Sequence, residues 1–442
     1  MARKPSKQRF TVVHPDCAAI DVGGREHFVA VDPRHENPVQ SFTSFTDDLL
    51  KMANWLESLG IKVVAMESTG VYWIPIYEIL SERGFEVYLV NARATRQITG
   101  RKSDVLDCQW IWQLMTHGLL RGAFRPDDLT CCVRSLVRQR ASKVKDQAQT
   151  LNRMQKAMSQ MNIQLANVIS DISGVTGMKI LRAICAGERD PVQLAELTDR
   201  RIKAGKEAVA RSLHGNWRRE HLHALTQELA AYDFLEQQIA DCDDAIKAAL
   251  EQLPVLQNKP EPSNKPLRSP HRNGAQQTEL HQTLWKVLGV DLTAIPTIGV
   301  DTALVLTGEI GTDLSRFPSS QHFCSWLGLA PPTRISGGHR LASGGPKIVN
   351  RAAQALKQAA SNARNDKGFI GASHRARLTR MDTSCAIKAT AHQLARLVYN
   401  LLTKKQAYVE KGLEEFETRS QDRQVRALLR KARKLGYQLV AA

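Results

Sequence analysis

The chain has 442 residues, of which 43% are hydrophobic, and this length predicts two or three domains with buried cores. Its formal net charge of +17 indicates a polyanionic partner, most often nucleic acid, although basic proteins without that function exist. No apolar run approaches the roughly 18 residues needed to cross a bilayer, and no GxxxxGKS or GxxxxGKT loop occurs, so we expect neither a membrane partner nor ATP-driven chemistry.

The eight cysteines show no metal-ligand spacing, since Cys131 and Cys132 are adjacent and the others are scattered. This pattern predicts reduced thiols in a cytoplasmic protein rather than a zinc site or a disulfide framework. The opening segment MARKPSKQRF is basic but lacks the apolar stretch of a signal peptide, which agrees with a cytoplasmic location.

The first 130 residues alternate short apolar runs with helical patterns, which predicts an α/β domain over residues 1–130. Residues 16–32 (DCAAIDVGGREHFVAVD) read as strand, Gly-Gly turn and strand, a hairpin that opens a sheet. In chain order, the further expected elements are a helix over 46–59, a strand over 62–66 followed by Glu67, a helix over 72–83 and a strand over 85–91.

Residues 131–253 are expected to form a helical region. Apolar residues recur there at seven-residue spacing, at Val137, Val144, Leu151 and Met158, and again at Leu225, Tyr232, Ile239, Ile246 and Leu253. Two such helices can pack as an antiparallel coiled-coil arm or pair with another subunit, and an ordinary buried helix stripe explains each series equally well. Between them, residues 168–220 indicate a smaller helical insertion, with Trp217 as a candidate cap.

The C-terminal part of the chain follows a proline-rich segment. Residues 254–275 contain five prolines and almost no apolar periodicity, so we place a linker or long exposed loop at 254–279. A second globular unit is expected over 280–410, and a basic tail helix over 419–434 within residues 411–442.

Four acidic residues of the first domain are candidate metal ligands. Asp21 lies inside the opening strand, and Glu67 closes a second apolar strand. Asp104 and Asp107 lie three apart on one face of a helix start. Four carboxylates gathered at one point would repel each other, and two Mg²⁺ ions would neutralise them, activate an attacking hydroxyl and stabilise the leaving oxygen at a phosphodiester.

Most of these carboxylates also have a simpler interpretation. Asp104 and Asp107 suit a helix N-terminus, where the helix dipole favours negative charge. Glu67, before Ser-Thr-Gly, suits a turn. Asp21 is the hardest to explain, because an aspartate within an apolar strand is unfavourable unless it is paired or bound to metal. The order of strand Asp, strand-end Glu and helical Asp pair is therefore more specific than any one member.

Two features of the second globular unit indicate phosphate binding. Residues 295–299 (IPTIG) resemble the turn of a helix-hairpin-helix, in which Gly299 at a helix start would present backbone N–H groups to a phosphate. Residues 333–347 read as an exposed glycine-rich loop that enters a helix. The basic residues of this loop and of the following helix face are Arg334, Arg340, Lys347, Arg351 and Lys357.

A serine flanked by glycines can approach a phosphate closely and attack it, with neighbouring Arg and Lys side chains stabilising the developing charge. From the residues alone, a flexible phosphate-binding loop explains this segment equally well, and Ser336 and Ser343 are equal candidates for a nucleophile. Residues 331–410 contain fourteen Lys and Arg against three Asp and Glu, which favours a surface that faces DNA or RNA.

The order of the four carboxylates resembles that of the RuvC-like branch of the RNase H fold. More narrowly, the chain resembles the DEDD transposases of bacterial insertion sequences, the IS110/IS1111 group of bridge-RNA-guided recombinases. The similar segments are AIDVG, AMESTGVYWIPIYEIL, VYLVNARATRQITGRKSDVLDCQWI and LVRQRASKVKDQAQTLNRM. The segment GLAPPTRISGG is similar to the family's second conserved domain, whose essential serine follows GL-x-P and precedes Gly. The middle region is longer here than in the compact members.

This resemblance implies an N-terminal RuvC-like domain, a helical coiled-coil arm and a mostly helical C-terminal transposase domain. It implies that Asp21, Glu67, Asp104 and Asp107 hold two Mg²⁺ ions and that Ser336 forms a phosphoserine–DNA intermediate. It further implies a nucleoid-associated recombinase that excises and inserts its own element. Its partners would be double-stranded DNA, a structured noncoding guide RNA and further copies of the chain in dimers and tetramers.

Two other classes of protein remain open on the sequence. One is a RuvC-type Holliday-junction nuclease, which uses water as the nucleophile and needs no serine. The other is a non-catalytic nucleic-acid-binding protein in which the carboxylates are structural.

Overall fold

A computed structural model describes residues 11–68, 70–91, 103–257, 259–263, 277–330, 334–337, 339–341, 350–409, 418, 421, 425–426, 428–430 and 432–437. The chain divides into two compact units, Met1–Arg125 and Pro126–Ala442. Among the described residues, no helix is both long enough and apolar enough to span a membrane.

The first unit is built around a mixed five-stranded sheet with the strand order β3-β2-β1-β4-β5. The strands β1, β2 and β3 pair antiparallel, whereas β1, β4 and β5 pair parallel. The elements are β1 Cys17–Val22, β2 Glu26–Ala30, β3 Val39–Thr43, α1 Thr46–Ser58, β4 Val63–Glu67, α2 Trp73–Glu82, β5 Glu86–Val90 and α3 Asp104–Thr116. The predicted opening hairpin, both helices and both later strands are confirmed. Strand β3 was not predicted, because none of its residues is fully buried and its hydrophobic alternation is weak.

Strand β1 contributes to two cores, because successive strand residues point to opposite faces of the sheet. Ala18, Ile20 and Val22 pack in the core that α1 and α2 cover. Cys17 and Ala19 pack in a smaller core on the other face, with residues of α3. An α/β unit followed by a mostly helical unit agrees with the predicted fold class.

The second unit is almost entirely helical. Its α-helices and strands are α4 Asp128–Gln160, α5 Val175–Cys185, α6 Pro191–Glu196, α7 Lys206–Ser212, α8 Arg219–Glu251, α9 Gln277–Leu288, α10 Val300–Ile310, α11 Ser320–Trp326, β6 Arg334–Ser336, β7 His339–Leu341, α12 Arg351–Ser361, α13 Phe369–Leu378 and α14 Thr383–Lys404. Residues 168–220, where we expected a helical insertion, contain the three helices α5, α6 and α7, and Trp217 packs partly buried against their core.

The two 33-residue helices α4 and α8 pack antiparallel along their length. Arg140 of α4 pairs with Asp243 of α8, and further along α4 Arg153 pairs with Glu228 at 2.7 Å. Heptad positions occupied by Val137 and Met158 are buried, as expected. Arg140 and the fully buried Gln147 occupy the other core positions of the heptads, three residues after Val137 and Val144. Both are polar, so the apolar pattern did not identify them as core residues.

One part of the C-terminal half differs from the expectation of a loop. Residues 334–341 contain the antiparallel pair β6–β7, in which Ser336 is opposite His339, so the prediction of a loop over 333–347 is wrong there. Gly337 provides the positive φ of +56° that so tight a turn requires. In the proline-rich segment, the carbonyl of Pro260 accepts a 2.8 Å hydrogen bond from Nε1 of Trp285, which attaches this stretch to α9.

We expect Arg140→Ala to lower the free energy of unfolding by about 3 kcal/mol, because it removes the ion-pair partner of Asp243 in the interior of the helix pair. Arg153→Ala is the matched control. The Arg140 side chain is 10% exposed and the Arg153 side chain is 52% exposed, so the control should lose less than about 1 kcal/mol. Urea denaturation followed by circular dichroism measures both, and equal losses would contradict a dependence on burial.

Candidate active site

The pairing of β1 with β4 brings Asp21 and Glu67 to the same edge of the sheet. The two strands run parallel with Ile20 opposite Met66, so Asp21 and Glu67 occupy the next equivalent positions. Each lies two residues beyond a buried alanine, Ala19 or Ala65, that faces α3. Because strand side chains alternate, both carboxylates point to the α3 side of the sheet.

Helix α3 supplies the other two carboxylates from its first turn. The helix begins where the Ser103 hydroxyl accepts a hydrogen bond from the Leu106 N–H. Cys108, Ile111 and Met115 are buried against the sheet, and Asp104 continues the same helical stripe by one turn. At the far end of α3, Trp112 Nε1 donates to the Cys17 carbonyl at 3.0 Å. Helix α3 therefore runs antiparallel to β1, and its acidic first turn lies near the end of β1 that carries Asp21.

The other three acids act electrostatically on Asp21. The pKa of Asp21 is raised to about 6. Burial is the largest cause, and the negative charges of Glu67, Asp104 and Asp107 contribute the rest. The Asp21 carboxyl makes no hydrogen bond or ion pair with any other described residue. It is a half-buried acid whose identified charged neighbours are all acids.

The donor set fits a divalent cation in charge and in chemistry. Carboxylate oxygens are the ligands that Mg²⁺ prefers, and an added cation would relieve the repulsion around Asp21. Within the described ranges, however, no three acidic, histidine or cysteine side chains are close enough to hold one ion. Residues 92–102, which directly precede α3, lie outside those ranges.

The sequence analysis missed Cys108, which lies one turn after Asp104 on the inner face of α3. Burial raises the pKa of its thiol to about 12, and the nearby charge of Asp21 adds to that rise. The Cys108 side chain is therefore uncharged at neutral pH and lies beside the carboxylates. Its spacing of four residues from Asp104 was the available signal.

The residues predicted around the serine belong to the second unit. Ser336 ends β6, while Arg334 and Arg340 lie in β6 and β7, and the side chains of all three lie outside the described part of the chain. Ser343 and Lys347 lie outside it entirely.

The other predicted contacts lie at or on helices of the second unit. Gly299 is the cap residue directly before α10, and it lies two residues after Thr297, which has a positive φ of +75°. Arg351 is exposed at the start of α12, and Lys357 is half-buried one and a half turns later.

We expect Asp21→Asn to stabilise the metal-free protein at neutral pH by about 3 kcal/mol. A folded-state pKa of about 6 lies above the unfolded value near 4, so the folded state binds this proton more tightly. The carboxyl therefore lowers stability progressively as pH rises from about 4 to about 6, and the benefit of Asn should vanish below about pH 4. Unfolding in EDTA across this pH range measures the difference. The exposed Asp16→Asn serves as control, and an Asp21→Asn variant no more stable than this control at pH 8 would contradict the repulsion.

Comparison with known proteins identifies the family of the chain. A family model described as "Transposase", that of DEDD transposases of the IS110 type, matches residues 18–163, which include all four carboxylates. A second, described as "Transposase IS116/IS110/IS902 family", matches residues 291–368, which include Ser336. The "Insertion element IS110 uncharacterized 43.6 kDa protein" of Streptomyces coelicolor is 42% identical over 65 residues, 14% of this chain and 16% of that relative's length. With two family models matching about half of its length in the expected order, the chain belongs to the IS110 family of transposases.

Proposed function

We propose that the protein is a DNA transposase that excises and inserts an insertion sequence by metal-assisted phosphoryl transfer. The observation that carries this proposal is the grouping of Glu67, Asp104 and Asp107 around Asp21 in a unit that matches the DEDD transposase model. Four acids brought together by a sheet edge and a helix start weaken the fold unless they bind something positive. A divalent cation at a phosphodiester is the ligand that this arrangement favours.

In the proposed reaction, Asp21, Glu67, Asp104 and Asp107 hold Mg²⁺ and keep it directed at one phosphate. The bound metal would supply neutralisation of the phosphate and stabilisation of the attacking and leaving oxygens. Because Asp21 must be ionised to bind a cation, the site has to overcome the raised pKa of this carboxyl. Buried Cys108 stays protonated beside it and adds no competing charge.

We assign the nucleophile to Ser336. Its hydroxyl oxygen would attack phosphorus as its proton leaves, a new Oγ–P bond would form, and the bond from phosphorus to one ribose oxygen would break. The departing ribose oxygen would take up a proton, and the DNA would remain attached as a phosphoserine ester. Support comes from the position of Ser336 after the GL-x-P segment, within the second matched region. Arg334, Arg340 and Lys347 would stabilise the charge on the phosphate.

The proposal extends to the partners that the family resemblance implies. A structured noncoding RNA would pair with donor and target DNA and so select the sequence, while the protein holds the backbones. Gly299, Arg351 and Lys357 are candidate backbone contacts in this arrangement. Catalysis would require dimers or tetramers, with the carboxylates and Ser336 of one active site contributed by different copies of the chain. The net charge of +17 is consistent with two nucleic-acid partners.

A second candidate function is a RuvC-type junction nuclease. The observation that favours it is that all four acidic residues lie in the first unit, whereas Ser336 lies in the second. Such a site can direct water instead of a serine at a phosphodiester.

The serine assignment predicts a covalent intermediate. Incubation of the full-length protein with its guide RNA, Mg²⁺ and end-labelled element DNA should leave label attached to protein on a denaturing gel, and Ser336→Ala should abolish it. Ser343→Ala is the matched control, because it removes the other glycine-flanked hydroxyl of the same segment, and it should retain the adduct. Undiminished strand cleavage by Ser336→Ala, with no adduct in the wild type, would establish the nuclease instead.

The carboxylate assignment predicts a loss of cleavage that does not depend on folding. Asp21→Asn should reduce strand cleavage at least about 100-fold at saturating Mg²⁺, because it removes a negatively charged oxygen ligand without changing side-chain size. Circular dichroism should show an intact fold, and Asp16→Asn should cleave normally. Cleavage by Asp21→Asn at the wild-type rate would refute the site.

A further inference from the structure

Three consecutive helices in the second unit contain no acidic residue. The helices α12, α13 and α14 contain neither Asp nor Glu, although together they contain seven Lys and Arg residues. Residues 351–404 as a whole include two acids, Asp366 and Asp382. Both are engaged by backbone, since Asp366 accepts from the Gly371 N–H at 2.9 Å and Asp382 accepts from the Cys385 N–H at 3.0 Å. Their hydrogen-bonding capacity serves helix starts rather than the nearby arginines.

Arginines elsewhere in the second unit are treated differently. Arg138 makes a two-pronged ion pair with Glu309 at 2.8 and 2.7 Å, and Arg140 makes one with Asp243. The exposed Arg201 is paired with Asp199. In each of these cases a carboxylate neutralises the arginine that the fold holds in place.

Arg377 of α13 is held in place without such a pair. It lies half-buried, and its guanidinium donates to Thr390 Oγ1 at 2.8 Å and to Gln393 Oε1 at 2.6 Å, both on α14. Burial lowers its pKa, and no carboxylate acts to raise it again. No carboxylate of the described chain forms an ion pair with it. A partly desolvated cation with neutral partners is unfavourable, and an anion would complete its coordination.

Further positive groups surround this guanidinium. His374, which is 2% exposed, contacts the hydroxyl of Thr390 through Nδ1 at 2.9 Å. Because that hydroxyl accepts from Arg377, its own proton is left for Nδ1, which suits a neutral imidazole. The pKa of His374 is lowered by burial and then by Arg377, Arg375 and Arg364. Every charge that acts on this histidine is positive.

On α14, His392 and Arg396 lie one turn apart on the same helix face. His392 is half-buried, and its pKa is lowered by burial and then by the charges of Arg396 and Arg377. The two arginines therefore approach the same imidazole from neighbouring helices. Arg396 is exposed, so this concentration of positive charge opens to solvent.

We propose that Arg377 and Arg396, beside His392, bind a phosphodiester group of a nucleic-acid backbone. This basic cluster (Arg377, His392 and Arg396) would position DNA or RNA on the acid-free helices, away from the segment that carries Ser336 in sequence. Guanidinium forks match the oxygens of a phosphate in geometry, and Arg377 is already oriented by Thr390 and Gln393. The inference rests on the proposed function for the presence of a nucleic acid. It adds a site that binds the phosphate backbone and makes no sequence-specific contact with bases.

The test measures binding without catalysis. Full-length wild type, Arg396→Gln, Arg377→Met and the control Arg201→Gln are titrated, in EDTA, with two unrelated 30-base-pair DNA duplexes and with an RNA hairpin at several KCl concentrations. Each cluster variant should bind about tenfold more weakly near 0.1 M KCl, equally for both duplexes, and should reduce the slope of log K against log salt concentration by about 1. Arg201→Gln removes one charge as well, yet it should change affinity less than about twofold. A loss with duplexes alone assigns the phosphate to DNA, and a loss with the hairpin alone assigns it to RNA.

Thermal unfolding without nucleic acid separates binding from a structural role. Arg396→Gln should keep the wild-type midpoint, and Arg377→Met should keep or raise it, because it removes a cation that lacks a carboxylate partner. If Arg377→Met fails to fold, the exposed Arg396→Gln decides alone. Affinities and salt slopes equal to those of Arg201→Gln on both nucleic acids would overturn the proposal. Because the binding experiment measures no cleavage, this result would leave the transposase proposal standing. That proposal is decided separately, by the adduct and cleavage experiments on Ser336→Ala and Asp21→Asn.

Discussion

The structure of the first unit depends on the packing of α3 against the edge formed by β1 and β4. Burial of Ile111 and Met115 holds the helix against the sheet, and each such side chain contributes about 1.5–3 kcal/mol. The same packing drives the acidic first turn of α3 toward Asp21, whose pKa of about 6 corresponds to a penalty of about 3 kcal/mol at neutral pH. The apolar contacts outweigh this penalty, so the fold can maintain a repulsive site before any cation binds.

In the second unit, arginines are neutralised by carboxylates in some helices and not in others. Along the pair of α4 and α8, and where α10 meets α4, arginines that leave water are matched with Asp243 and Glu309. In the acid-free helices the matching carboxylates are missing, and polar neutral groups orient the arginines instead. The carboxylates that act on Asp21 thus belong to the first unit, and the acid-free helices with their unmatched arginine belong to the second. That division suits a protein whose substrate is a polyanion and whose chemistry requires a cation.

Local patterns in the sequence were sufficient for most of the first unit. Alternation and the Gly-Gly turn predicted the β1–β2 hairpin, and the runs that end at Glu67 and Val90 predicted β4 and β5. Strand β3 escaped prediction because it lies at the sheet edge, where packing imposes little pattern on side chains. In the long helices, the apolar heptads were visible, but Arg140 and Gln147 were not identified as interior residues. A polar side chain becomes a core residue only when a partner such as Asp243 arrives from the other helix.

The sequence by itself determined the kinds of groups that this protein uses: a strand Asp, a strand-end Glu, a helical Asp pair, a glycine-flanked serine and a large excess of positive charge. The order and types of these residues were enough to indicate the family, because both can be read directly from the sequence. Only the tertiary structure decided which groups meet. The register of β1 on β4 and the direction of α3 bring together acids that are more than eighty residues apart in the chain, and the packing of α13 on α14 leaves Arg377 facing hydroxyl and amide groups. These outcomes depend on long-range packing, which alternation, spacing and composition do not encode.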